Sequence, residues 1–477
     1  MGARTTASLT RAAGLVLASL SALMPNGSRA QIVQSWSHSA PFGDASGAVA
    51  VGDTLMFVNN NEDAVLRLYA RYPTVACPAA IYSLNVQPGL GLTGTDLTVD
   101  LESAVKLEDD NGTRIFWLGS LGNSANGNLR PNRSRLFATQ VIGDGTGSPP
   151  YRLGYLGRYD QLRDDIIAWD VNNLHGLGAN YFGLAASAAS GVSPKLVKGL
   201  NVEGLALAPN GTTAYIGFRT PLVNGNGPTT SNSPRTHALI VPLLNMPDLA
   251  TGNPSPGPGA AQFGAPIVLP LGSRGIRSID RTATGEYLIT AGPADVVSHP
   301  PVAPLNFRVF RWSGHPLAVP VELATSFAAS ESPEACLPPA APIVATSVAQ
   351  FINDDGGSTC WRSMTCPIGV AVGSLEVGTE PKSSSDVHFS RPPSPCPAHD
   401  RVTFAIDIPR EQWVELTIQD VEGRRVATLW SGVLGAGEHD FSWSGATTGA
   451  FRPRAGIYWA RLRAAAVKEA RSFSWLR

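Results

Sequence analysis

Charge is scarce in this chain. Asp, Glu, Lys and Arg make up 15% of its 477 residues, against roughly a quarter in an ordinary globular domain. The two signs nearly cancel, 36 basic against 37 acidic, and neither forms a block. This excludes a nucleic-acid partner, since phosphate binding needs clustered Lys and Arg. It also excludes a polybasic membrane-docking segment. Past the N-terminal segment, no run of about 18 uninterrupted apolar residues occurs, so no transmembrane segment is expected in the mature chain. Histidine is rare, eight in all, without a ligand-like cluster. The five cysteines include no CxxC pair, which removes the usual zinc spacing. No G-x-S-x-G elbow is present. Neither H-E-x-x-H, a P-loop nor a G-x-G-x-x-G opening a helix occurs.

The first thirty residues carry their own message. Arg4 and Arg11 precede an apolar stretch from Ala12 to Met24, and Ser28-Arg29-Ala30 follows as a small-x-small site. That order predicts a signal peptide from Met1 to Ala30, a mature start at Gln31 and a secreted, extracellular or cell-surface protein. Export permits disulfides. An odd cysteine count leaves at least one unpaired or paired between chains. Cys360 and Cys366 bracket "WRSMT" and are expected to close a small loop, with Cys336–Cys396 as a further option.

Turn formers are plentiful: Gly 49, Pro 38. Short apolar runs bounded by Gly, Asn, Asp and Pro dominate, which predicts β structure. One unit recurs, a Gly or Asp turn followed by alternating apolar residues: "VGDTLMFVNN", "DNGTRIFWLGS", "PNGTTAYIGFR" and "ATGEYLITAG". A candidate strand precedes several copies ("ASGAVAV", "NVEGLALA", "GIRSIDR"), and another follows ("VLRLYAR", "SRLFATQV", "HALIVPL", "FRVFRW"). Repeated antiparallel units of this kind predict an all-β fold, a β-propeller over 31–385. At about 45–50 residues per blade it would hold six or seven blades. An array of β-sandwiches is the alternative. Residues 386–399, rich in Pro and Ser, read as a linker. Residues 400–477 read as a small β-sandwich of immunoglobulin type. Its Trp413, Trp430, Trp443 and Trp459 are expected mostly in the core.

The hairpin from Gly199 to Leu222 is apolar except for Glu203 and Arg219. Pairing set by the Pro209-Asn210-Gly211 turn places Glu203 opposite Gly217 and diagonal to Arg219, with Gly217 leaving room for them to meet. The expected role is first an inter-strand or inter-blade clamp. Other carboxylates at strand ends are Glu62, Asp63, Asp100, Glu102 and Glu334. Converging on a central channel they could hold Ca²⁺, which takes several oxygen ligands. "DDNG" (109–112) matches only part of a calcium loop. Arg133, Arg135, Arg219, Arg274 and Arg277 could receive an anion, because a guanidinium contacts two oxygens at once, or could pair with those carboxylates. The binding candidates are therefore Glu102, Arg133, Glu203, Arg219, Arg277 and Glu334. His175, in "NNLHGLG", reads as a loop histidine.

Three segments in order carry a resemblance: 100–141, "GLNVEGLALAPNGTTAYIGFRTPLV" (199–223) and "GSRGIRSIDRTATGEYLITAGP" (272–293). Over most of 45–370 the chain resembles the secreted bacterial family catalogued as domain of unknown function 3616. That family's sheets resemble esterase-like phytases and related propellers, which implies a hydrolase or a ligand-binding role. "VELTIQDVEGRRVATLWSGVLGAGEHDFSWSG" and "AGIYWARLRA" resemble the Ig-like domain of flagellar hook-capping proteins and C-terminal secretion-sorting domains. This implies attachment, sorting or spacing without catalysis. Three functions follow as expectations: an extracellular binder of a ligand or cell-surface component, a Ca²⁺-assisted phosphoesterase or esterase, and a structural envelope protein. Convergence of the charged candidates in an accessible pocket would favour the first two, and their burial between blades the third.

Overall fold

The alternating apolar runs pair in sequence order, each with the next, so every blade is a meander. The computed structural model describes residues 32–41, 43–298, 303–372, 387–408, 412–421, 423–435, 437–445, 453–464 and 467–476. The expected signal peptide lies outside the described residues. The chain divides into two compact units, Met1–Leu375 and Glu376–Arg477.

The first unit holds five four-stranded antiparallel sheets among the described residues. β1 (Gln34–Ser39) belongs to the last of them. Blade one is β2 (Ala45–Val51), β3 (Leu55–Asn60), β4 (Val65–Ala70) and β5 (Tyr82–Asn85). Blade two is β6 (Leu101–Asp109), β7 (Gly112–Gly119), β8 (Leu136–Ile142) and β9 (Arg152–Tyr159). Blade three is β10 (Asn201–Leu207), β11 (Ala214–Thr220), β12 (Ala238–Leu243) and β13 (Ile267–Leu269). Blade four is β14 (Gly275–Arg281), β15 (Tyr287–Gly292), β16 (Arg308–Trp312) and β17 (Val321–Ser326). Blade five is β18 (Pro333–Leu337), β19 (Val348–Asn353) and β20 (Cys360–Pro367), completed by β1 along β20.

The inner strands β2, β6, β10, β14 and β18 pack side by side, and β18 meets β2, so the ring closes. A separate apolar core fills each gap. Trp117 and Phe57 share one, Trp169 and Phe218 the next, Tyr215 and Trp312 the third, Leu288 and Phe351 the fourth, Met56 and Trp361 the fifth. Blades sandwiched between blades need both faces apolar, which is why β10, β11 and β12 are buried throughout.

The fold is the expected all-β propeller, but with five blades in place of six or seven. Insertions account for the surplus length. Inner strands begin at 45, 101, 201, 275 and 333. The long interval before β10 carries α1 (Leu162–Val171) and α2 (Leu184–Ser187), and α3 (Met246–Ala250) follows β12. Leu162, Ile166 and Trp169, one stripe of α1, extend the core between blades two and three.

The second unit is a β-sandwich. One sheet is β21 (His388–Ser394), β22 (Val402–Ile408) and β25 (Gly437–Trp443). The other is β24 (Arg425–Leu434), β23 (Gln412–Gln419), β26 (Gly456–Ala464) and β27 (Val467–Trp475) in that spatial order. β21 corrects the expected linker at 386–399. Pro392 and Pro393 can sit there because β21 is an edge strand, and Val387 and Phe389 join the core. Trp443 is buried, whereas Trp413 is 49% exposed.

Candidate functional site

Each inner strand slips register by one residue at the same place, near its start. Ala45 faces Asn60 and Gly47 faces Asn59, leaving Ser46 unpaired. The same slip isolates Glu102 between Leu101 and Ser103, Glu203 between Val202 and Gly204, Arg277 between Ile276 and Ser278, and Glu334 between Pro333 and Ala335. Such bulges re-aim a side chain and recur beside functional sites. Five equivalent positions, one per blade, thus place a serine, three glutamates and an arginine around one end of the channel. A small residue follows each bulge: Gly47, Ser103, Gly204, Ser278 and Ala335. At Gly204 a Cβ would lie 2.8 Å from Ile276 Cγ2 of the next blade, so bulk there would force the ring open.

The charged members bind one another across blades. Arg219 Nη1 donates to Glu203 Oε1 at 3.0 Å, and Asn201 Nδ2 donates to the same oxygen at 2.8 Å. Arg277 Nε donates to Glu334 Oε2 at 2.8 Å, Arg277 Nη2 also pairs with Glu334 Oε1, and Arg277 Nε lies 2.8 Å from Glu203 Oε2. Arg219 Nε donates to the Pro293 carbonyl at 3.1 Å, and the Arg277 guanidinium stands 5.6 Å from the Phe307 ring centroid. Exposure decides what this cluster is: Glu203 2%, Glu334 4%, Arg277 7%, Arg219 8%, Glu102 9%. The expected convergence occurs, but as a buried plug at the blade junction. Arg133 sits further out, its Nη1 donating to Asp100 Oδ2 at 2.5 Å and to the Asn123 carbonyl at 3.0 Å.

The hairpin reaches its clamp by a different register. Gly204, not Glu203, faces Gly217, and the bulge delivers Glu203 to Arg219. Gly217 makes room for Ile276 of the next blade, whose Cγ2 would stand 2.9 Å from an added Cβ.

Glu102 differs from its neighbours. It makes no side-chain hydrogen bond or ion pair with the described residues. Burial, then Asp100, Glu203 and Glu334, push its carboxyl well above the ordinary range, against the pull of Arg277. Burial also raises Glu334 to about 7, Arg277 opposing and Glu203 adding. Asp100 is raised by burial, with Arg133 opposing. At the rim, burial and the facing Asp354 and Glu62 lift Asp44 to about 6.

The channel's other end is open. A cavity of about 1010 Å³ begins two residues beyond each bulge and is lined from all five inner strands, among them Ala50, Lys106, Leu207, Asp280 and Leu337. Its polar wall is mostly self-satisfied: Lys106 Nζ lies 2.9 Å from Glu108 Oε1, and Arg71 Nε donates to Gln350 Oε1 at 2.9 Å. Asp280 is the exception. Its Oδ2 has no partner among the described residues, and burial raises its carboxyl to about 7, against hydrogen bonds from Ser278 and Cys336.

Other expectations resolve locally. Asp63 pairs with Arg67 and Asp109 of "DDNG" with Arg114, both at 2.5 Å, so neither is a calcium ligand in waiting. Arg135 donates to the Leu90 and Gly91 carbonyls, and Arg274 to Asn306. His175 stands in the segment joining α1 and α2, its Nε2 3.2 Å from Asp170 Oδ1. Among the described residues no three His, Cys, Asp or Glu are disposed to hold a metal ion. The ring does not fit Ca²⁺ either, because Arg219 and Arg277 already occupy the oxygens of Glu203 and Glu334.

The expected Cys360–Cys366 loop is not formed. Cys360 bonds Cys77, 283 residues away, while Cys366 and Cys336 are buried free thiols and Cys396 is exposed and free. Cys360 and Cys366 lie on one strand, β20, whose extension carries them apart. Sequence reading passed over Ser46, Asp44, Asp280 and Asp354. The signal for the ring was a shared offset, a polar residue second or third in each inner strand with a small one after it.

No protein-family model matches the chain, and no curated protein matches it. Solved structures give distant likenesses. PorZ, a surface component of the type-IX secretion system of Porphyromonas gingivalis, is 13% identical with a TM-score of 0.24 over 91% of this chain and 51% of its own. An arabinoxylan arabinofuranohydrolase of glycoside hydrolase family 43 from Bacillus subtilis is 10% identical with a TM-score of 0.30 over 92% and 96%. Virginiamycin B lyase from Staphylococcus aureus is 8% identical with a TM-score of 0.27 over 70% and 99%. The chain spans about half the length of the PorZ structure. The propeller assignment rests on the sheets themselves. Among the described residues no helix is long and apolar enough to cross a membrane.

Proposed function

We propose that this is a secreted propeller that binds an extracellular ligand or cell-surface component through the open end of its channel, without catalysis. One observation carries the reading: the cavity is lined from every blade, whereas the residues a hydrolase would use are buried at the opposite end, all but Glu102 tied to one another. A concave site with mixed walls and few polar groups suits recognition. Arg219 and Arg277, spent on glutamates, are withdrawn from anion binding. We also read the propeller as a member of the domain of unknown function 3616 family, on the three segments that resemble it. The sandwich then serves attachment or sorting.

Filling the cavity tests this. Ala50→Trp should abolish the melting shift that a matching oligosaccharide or peptide from an extracellular panel gives the parent. Phosphoester and ester substrates should be left intact with or without Ca²⁺. Hydrolysis by the parent that Glu102→Gln or Glu203→Gln removes would overturn the reading.

A further inference from the structure

The plug has a charge imbalance. Carboxylates crowd the bulged end of the channel: Asp44 bridges Asp354 just before β2, Glu62 follows β3, Asp100 precedes β6, and Glu102, Glu203 and Glu334 occupy the bulges. Asp100, Glu203 and Glu334 are matched by Arg133, Arg219 and Arg277. Asp44, Glu62, Glu102 and Asp354 make no ion pair with the described residues. Of these Glu102 is the deepest, nine-tenths buried, unpartnered and facing Asp100, Glu203 and Glu334. An unpaired polar group so buried is costly and needs a reason.

We propose that this mouth is a binding site for an alkylammonium group, seated on Glu102, with the acidic rim of Asp44, Glu62 and Asp354 taking a second amine or the surrounding positive charge. An ammonium has three donors and asks for few oxygens, which one free carboxyl and its neighbours supply. Ca²⁺ asks for six to eight oxygen ligands, and here most are already held by arginines. Glu102 is buried while Glu62, beside the same Asp100, is exposed, and this gradient suits a charge on a flexible aliphatic arm. Such an arm exists on a free diamine and on a lysine side chain of a partner protein. Docking there lets Glu102 ionise against the field of Asp100, Glu203 and Glu334, so binding should release a proton.

Calorimetric titration of the mature chain tests this with diaminobutane, Nα-acetyl-lysine amide and, as a neutral control of equal length, butanediol. At least one amine should bind, with a heat that depends on the buffer's ionisation enthalpy, and butanediol should not. Tighter diaminobutane points to a free amine, tighter lysine amide to a partner's side chain. Glu102→Gln should weaken binding by roughly tenfold, about 1.4 kcal/mol, and remove the proton release. Asp354→Asn, at the rim, should weaken the diamine alone. No heat and no melting shift with millimolar amine would overturn the proposal, as would equal binding by butanediol or by Glu102→Gln. Ala50→Trp, at the channel's other end, should bind amines as the parent does, so failure of the open-end reading is told apart from failure of this one.

Discussion

Glu102 and Glu334 occupy equivalent bulges yet stand in opposite electrostatic positions. Glu334 is gripped by Arg277, so Glu334→Gln leaves a guanidinium buried with one carboxylate fewer. Removing one partner of a buried pair costs about 3–5 kcal/mol, and a urea midpoint should record a loss of that order. Glu102→Gln breaks no contact and should stay within about 1 kcal/mol of the parent in mild acid, where the folded and unfolded carboxyls both hold a proton. A carboxyl held above its unfolded pKa stabilises the fold while protonated and loses that contribution as pH rises. Glu102→Gln should therefore gain on the parent as pH is raised, and an unfolding series across pH would refute this if the gap stayed constant. Glu102, Glu203, Arg219, Arg277 and Glu334 stood out because Glu and Arg are conspicuous in apolar strands, whereas Arg133 lies outside the ring. Their partners were partly hidden: a bulge shifts pairing by one residue, and no alternation pattern reveals it. Asp280 was hidden for another reason: Ser278 is its neighbour on β14, but Cys336 meets it only once blades four and five pack.

Among elements, the middle strands read most clearly. β3, β7, β11 and β15 each follow a Gly-containing or Asp-containing turn and alternate or run apolar, and each lies where the pattern put it. Blade five was missed because its strands β18 to β20 lack that turn signature and its fourth member, β1, comes from the other end of the sequence. The helices were missed because α1 is short and enclosed by β structure. The Cys77–Cys360 bond sits where blade five meets blade one: Cys360 faces Ser39 of β1, and Cys77 N donates to Ser37 Oγ at 2.9 Å. Pairing across 283 residues is beyond spacing arguments. Replacing both cysteines by serine should cost about 2–5 kcal/mol. An unchanged denaturation midpoint would show that β1 alone holds the closure.

At the scale of the molecule, propeller and sandwich each own a hydrophobic core. Residues 32–372 and 387–477, produced separately, should each give β-type circular dichroism and a cooperative melt. The full chain should show two transitions. A fragment that melts without cooperativity would contradict the division. The boundary between them was legible as a change in character, though Pro392 and Pro393 masked β21 as linker.

The closing blade also imposes an order of events. Gln34 pairs with Thr365, so the first described strand shares a sheet with one made more than three hundred residues later. Blades one to four can form as they emerge, but each exposes an unpartnered apolar flank until its successor arrives. β1 must wait for β20, its edge unpaired throughout. A chain cut short before Cys360 therefore carries a free strand near its start and an open seam at its end, with the Cys77–Cys360 bond not yet available to lock either.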